Sequence, residues 1–226
     1  MRIKRYGSLF LALALALGLC GCSAAGKAGK TSLSIQPAQL TAEEEALAKL
    51  LDVSMDSYRI FDFEAGGKQK DGEGVQSVQL TLYELTDGEW TPKAQAQQAF
   101  SDVKGRIALS FGKITEGVHM TIQSEGVFES MELDKLADSG TASMSYTTSI
   151  LTESAAMELD QETPLAIQIV TSKNDIQSYG VQYFDMPREY AKHGYEHVYA
   201  VTVMFSQKTV YELVDSAANP SPSPEP

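Results

Sequence analysis

The chain has 226 residues, 43% of them hydrophobic and 21% charged, with 30 Asp and Glu against 18 Lys and Arg and a net charge of −12. That sign repels polyanions, which excludes a nucleic-acid function and leaves no basic patch to hold an anionic lipid surface. The two cysteines are Cys20 and Cys22, so the chain beyond residue 22 has no disulfide, thiolate metal site or cysteine nucleophile.

Met1–Arg5 is basic, Leu9–Leu19 is an apolar run, and small residues follow. This is the layout of a secretory signal peptide. Eleven residues at about 1.5 Å each reach about 17 Å, short of a hydrocarbon core of about 30 Å, so the run is a signal and not a span. Leu19-Cys20-Gly21-Cys22 resembles the lipobox of bacterial lipoproteins: Leu, a small or neutral residue, Gly or Ala, then Cys. The frame ending at Cys20 fits less well, because it puts bulky Leu19 where a small residue belongs. The resemblance is confined to about residues 1–25. It implies cleavage after Gly21, lipid on the Cys22 thiol, and an extracytoplasmic protein whose membrane partner is reached through Cys22. At about 0.8 kcal/mol per buried methylene, two acyl chains hold a protein where one holds it marginally. Losing Arg2, Lys4 and Arg5 with residues 1–21 deepens the net charge from −12 to −15.

Residues 22–40 are small and polar and read as a tether, with an end-to-end distance near 24 Å for a flexible coil of this length. Residues 40–52 read as a helix: Thr41 caps, Glu44 completes a capping box, and Leu47, Leu50 and Leu51 form a stripe. From Tyr58 the period changes to two. Val78, Leu80 and Leu82 alternate with Gln79, Thr81 and Tyr83, and the same holds for 106–111 and 118–123. Further strand candidates are 58–63, 144–151, 164–171, 179–184 and 197–206. Alternation marks strands of an antiparallel sheet, and Asp87-Gly88 is a type I′ hairpin signal. Residues 127–142 read either as a long loop or as a short helix. Pro187 opens a short helix near 187–193 that Gly194 stops. The expectation is a mainly β chain: an antiparallel β-sandwich spanning 41–215, with one N-terminal helix and that short second one. The Pro/Ser-rich residues 216–226 form a disordered tail.

His193-Gly194-Tyr195-Glu196-His197 resembles the H-x-x-E-H signature of inverted zinc proteases. That chemistry needs both histidines on one helical face. With the helix stopped at Gly194, they sit on an extended segment about 13 Å apart, so no metal or other cofactor is expected. Ser101-x-x-Lys104 matches one motif of penicillin-binding enzymes, but the chain carries neither partner motif. Aromatics are the remaining lead. Tyr179, Tyr183, Tyr190, Tyr195 and Tyr199 gather near Phe184 and Arg188, and Trp90 follows the Asp87-Gly88 turn. Rings beside a cation suit a sugar or a partner peptide; equally, they close one end of a sandwich. Trp90, Tyr183, Tyr190, Tyr195, Tyr199 and Arg188 are therefore the candidate ligand contacts. The functional expectation is a non-catalytic binding or adhesion role toward an envelope glycan or a protein partner. A carbohydrate-binding module and a hydrolase are the alternatives.

Overall fold

The alternating segments become strands, and among the described residues these pair only antiparallel. The computed structural model describes residues 33–50, 58–66, 74–137, 140–141 and 143–218. The expected signal, Cys22 and residues 219–226 of the expected tail lie outside the described residues. In chain order the strands are β1 (Ser34–Pro37), β2 (Tyr58–Glu64), β3 (Ser77–Thr86), β4 (Glu89–Ala99), β5 (Lys104–Ser110), β6 (Val118–Ser124), β7 (Val127–Leu133), β8 (Ser145–Ile150), β9 (Ala155–Ala156), β10 (Thr163–Thr171) and β11 (His197–Ser206). The helices are α1 (Ala42–Leu50), α2 (Pro187–Ala191) and α3 (Val210–Ala218). Six strands form one sheet in the order β7-β6-β5-β2-β1-β9, and five form a second in the order β4-β3-β11-β10-β8. This is the antiparallel sandwich, with its N-terminal helix and its short helix after Pro187, that the periodicity predicts.

The core lies between the sheets. Phe61, Ile107 and Ile122 line up across β2, β5 and β6. Leu80 and Leu82 sit opposite Val203 and Val201 on β3 and β11. All seven are buried. Phe63, Phe100 and Phe205 bridge the sheets with ring centroids 4.8–5.9 Å apart. Gly105 leaves room for that cluster: a Cβ there would fall 2.1 Å from the Gln123 carbonyl oxygen and 3.0 Å from the Phe63 ring.

Two tight hairpins set the registers. Asp87 and Gly88 (φ 54° and 82°) join β3 to β4, and Glu125 and Gly126 (φ 46° and 86°) join β6 to β7. Positive φ at both turn residues is the type I′ geometry that matches strand twist. The second hairpin makes Val127–Leu133 a strand, in place of the expected loop or helix. In β4, Leu82 pairs with Ala94 and Tyr83 with Pro92, so Lys93 is the extra residue of a bulge.

Three further expectations change. The segment 22–40 is not all tether: Ile35 is fully buried, and β1 pairs with both β2 and β9. One apolar side chain among polar ones is enough to draw these four residues into the sheet. Residues 179–184 are not a strand. Val181–Asp185 form a 3-10 turn in which Tyr183 N–H bonds to the Gly180 carbonyl at 3.1 Å. Lastly, α3 runs through residues 216–218 of the expected tail. A Thr-Glu capping box opens it, with Thr209 N to Glu212 Oε2 at 2.8 Å.

The same box opens α1, with Thr41 N to Glu44 Oε2 at 2.7 Å. The helix buries no residue, and its Leu47 and Leu50 are 55% and 81% exposed. It meets the first sheet through Glu44, whose second oxygen pairs with Arg106 Nη1 at 2.6 Å while Arg106 Nε holds Asp62 at 2.9 Å. Both the Thr41 N–H bond and Arg106 hold the Glu44 carboxyl below its ordinary range.

Gly105→Ala is expected to cost about 3 kcal/mol, because a methyl group overpacks this site against backbone. Urea unfolding measures it; a midpoint unchanged from the parent protein would mean that β5 and β6 separate freely.

Candidate functional site

β3 and β11 are buried on both faces. Away from the core they present Ser77, Gln79, Thr81 and Thr202, and beside these Tyr83. Residues 172–196, the excursion between β10 and β11, form a third layer over this outer face.

The layer is built from the aromatics that the sequence singles out. Trp90 stacks on Phe184 at 5.1 Å, and its indole N–H donates to the Phe184 carbonyl at 2.7 Å. Phe184 also meets Tyr83 edge-on at 5.6 Å. Tyr179 stacks on Tyr183 at 4.5 Å and meets Tyr190 edge-on at 5.3 Å. Tyr190 is 1% exposed, and so is Tyr199, which lies apart from the layer against His197 at 5.8 Å. Burial pushes both hydroxyls above the ordinary tyrosine range. Tyr195 has His193 stacked on it at 5.3 Å and the Lys173 ammonium 5.5 Å from its ring centroid, while its hydroxyl accepts from Gln177 N–H at 2.7 Å. Arg188 is exposed and runs beside Gly88 of the hairpin. The structure thus brings Trp90, Tyr183, Tyr190 and Tyr195 together, but as a packed lid. Its rings pack against one another over a sheet face, not over the end of the sandwich. Among the described residues the most exposed Phe is Phe128, 66% exposed on β7 and remote in sequence from this cluster.

The three H-x-x-E-H side chains point to separate places. His193 Nε2 meets Tyr179 Oη at 2.8 Å. Glu196 accepts from Thr171 and Ser172, whose hydroxyls hold its carboxyl down at about 2. His197 Nδ1 meets Glu84 Oε1 at 2.8 Å. Among the described residues no three His, Cys, Asp or Glu side chains gather as a metal ion would require.

Glu162, which nothing in the sequence marks, is the hub of the outer face. Its Oε1 accepts from Gln79 at 3.2 Å, Thr81 at 3.1 Å and Tyr83 at 3.1 Å, and its Oε2 accepts from Thr202. Four donors on two strands thereby find one anionic acceptor, and such charge-assisted bonds are stronger than neutral ones. Burial, and then the Glu162 charge, push the Tyr83 hydroxyl upward, so Tyr83 stays a donor. Beside this hub, between the lid and the 151–158 connection, lies a cleft of about 630 Å³. Glu153, Glu158, Glu162 and Asp185 are its charged lining. The cleft is acidic, and its floor is already bonded.

A second polar group closes the sandwich beside the β3–β4 hairpin. Glu84 takes His197 on one oxygen and the bulged Lys93 on the other, at 2.8 and 2.9 Å. Burial acts to raise the Glu84 carboxyl; the hydrogen bonds from His197 and Lys93 and their charges outweigh it and hold the group below its ordinary range. A carboxyl lowered in the folded state adds stability above its unfolded value, about 4.3, and loses it as pH falls through the lower folded value. The stability advantage of the parent protein over Glu84→Gln should therefore shrink as pH falls from about 5 to 3. Denaturation series at several pH values measure this; a difference that stays level over that range would refute a role for the charge.

Comparison of the chain with protein-family models, curated proteins and solved structures finds no match.

Proposed function

We propose that this chain is a lipid-anchored, extracytoplasmic β-sandwich with a non-catalytic binding or adhesion role. The anchor reading is supported by the Leu19-Cys20-Gly21-Cys22 box behind a basic and apolar leader. Among the described residues no helix is long and apolar enough to cross a membrane.

One observation carries the binding reading: the H-x-x-E-H side chains and the outer-face hub Glu162 bond to neighbours within the fold and do not converge on one site. Glu162 is bonded to four donors, His193 to Tyr179, Glu196 to Thr171 and Ser172, and His197 to Glu84. A general base must lie within hydrogen-bond reach of its substrate, and each of these groups already directs at least one polar atom to a neighbour in the fold. What the molecule offers a partner is surface: an acidic cleft, an exposed sheet face and strand edges.

Mass spectrometry of the N-terminal peptide tests the anchor. The mature chain should begin at Cys22 and carry acyl mass there, and Cys22→Ala should carry none; acyl mass retained by the variant, or a mature N-terminus elsewhere, overturns the reading. For the binding role, purified protein should turn over chromogenic glycosides, esters and peptides no faster than a boiled control. Turnover above that control would make it a hydrolase.

A further inference from the structure

Among the described residues four strands end the two sheets: β7 and β9 in the first, β4 and β8 in the second. Edge strands expose unpaired peptide groups, and proteins blunt them with proline, charge, bulges or brevity. Three of the four are blunted. β9 has two residues. β4 carries Pro92 and the Lys93 bulge. β7 carries Glu129 and Glu132, and Glu129 takes a hydrogen bond from Gln98 of β4, so those two edges close on each other.

β8 has none of these devices. Its six residues, Ser-Tyr-Thr-Thr-Ser-Ile, pair with β10 without a register break. Residues 139–152 contain no charge and no proline, in a chain that is 21% charged. Leu151 N–H donates to the Leu165 carbonyl at 3.0 Å. Peptide groups alternate in direction along a strand, so Ser149, Thr147 and Ser145 also face β10. Tyr146, Thr148 and Ile150 turn their N–H and C=O groups outward. β8 then runs directly into the acidic cleft, whose lining begins at Ile150 and includes Glu153, Glu158 and Asp185 but no Lys or Arg.

We propose that β8 is a docking edge for an extended, basic peptide segment of a partner protein, which adds to the second sheet as a sixth strand. The charge of the chain chooses this occupant. A second copy is itself acidic, −12 as the full chain, whereas a cationic segment meets a cleft of opposite sign. Among the described residues every ladder is antiparallel. An antiparallel guest enters with its N-terminal end at the C-terminal end of β8. Its Lys or Arg residues therefore precede a run of about six β-formers, which spans about 20 Å. Main-chain bonds supply affinity and the cleft supplies selectivity, the mode of strand-addition recognition.

This inference rests on the non-catalytic binding reading and names its partner. The test uses the full chain in detergent and a synthetic peptide of two lysines followed by alternating threonine and valine. Hydrogen exchange should slow at least tenfold at the amides of Tyr146, Thr148 and Ile150 when the peptide is added. A peptide with glutamates in place of the lysines should bind at least tenfold more weakly. Tyr146→Pro removes one outward N–H and should abolish binding. The exposed pair Glu153→Lys and Asp185→Lys, which leaves the β8 ladder untouched, should weaken it at least fivefold. No binding at millimolar peptide, equal binding of the acidic peptide, or binding without protection of those amides would each overturn the proposal. Protection of the same amides that grows with protein concentration alone would assign the edge to a second copy and equally overturn it. These failures leave the acylation and turnover results standing, and failure of those leaves the exchange result standing.

Discussion

Glu162 reaches over the outer face of the second sheet and accepts hydrogen bonds from Gln79, Thr81, Tyr83 and Thr202. β3 and β11 meet the hydrophobic core on one side, and on the other their Gln79, Thr81 and Thr202 side chains are buried as well. A buried donor left without an acceptor costs about 1–3 kcal/mol, and here the donors stand in one row. One carboxylate removes that cost and makes a three-layered arrangement stable. Because Glu162 directly precedes β10, the same contact fixes the 157–163 connection, and with it the wall of the cleft. Ser206 and Asp160 repeat the device at the next corner.

The aromatic lid depends on that layer. Rings pack at 4.5–5.7 Å from one another in stacked and edge-on pairs, the arrangements that aromatic quadrupoles favour. Trp90 ties the lid to the β3–β4 hairpin and Lys173 ties its other margin to the His193 carbonyl. A binding surface made of rings keeps one face of each ring open; here the faces are turned to one another. The rings accordingly serve as scaffold.

Much of this was legible in the residues. Period-two alternation located β3, β5, β6, β10 and β11, because each pairs on both sides and buries one full row of side chains. The Asp87-Gly88 turn and the Thr41–Glu44 capping box are local chemistry and appear where local chemistry puts them. Segments ruled by distant contacts were not legible. β4 is rich in Ala and Gln, includes a proline and has little strand propensity; it forms because the hairpin lays it against β3. Residues 179–184 carry aromatics at a spacing of four, which pairs Tyr179 with Tyr183 on a turn and not across a strand. The Thr209-x-x-Glu212 box that opens α3 is the same signature as the one at Thr41, and it was readable in the same way. Glu162 had no signal at all, since its four donors lie 40–83 residues away in sequence.

β1 is the first strand among the described residues, and neighbours flank it on both sides: β2 along Ser34–Pro37 and β9 at Ser34 and Ile35. Any tension on the chain upstream of Leu33 arrives at this strand before it reaches another. The strain is then shared by two ladders and by the Ile35 side chain wedged into the interior, so the mechanical clamp of the molecule stands at its doorstep, while α1, the next element along, is held to the sheet by the Glu44–Arg106 pair.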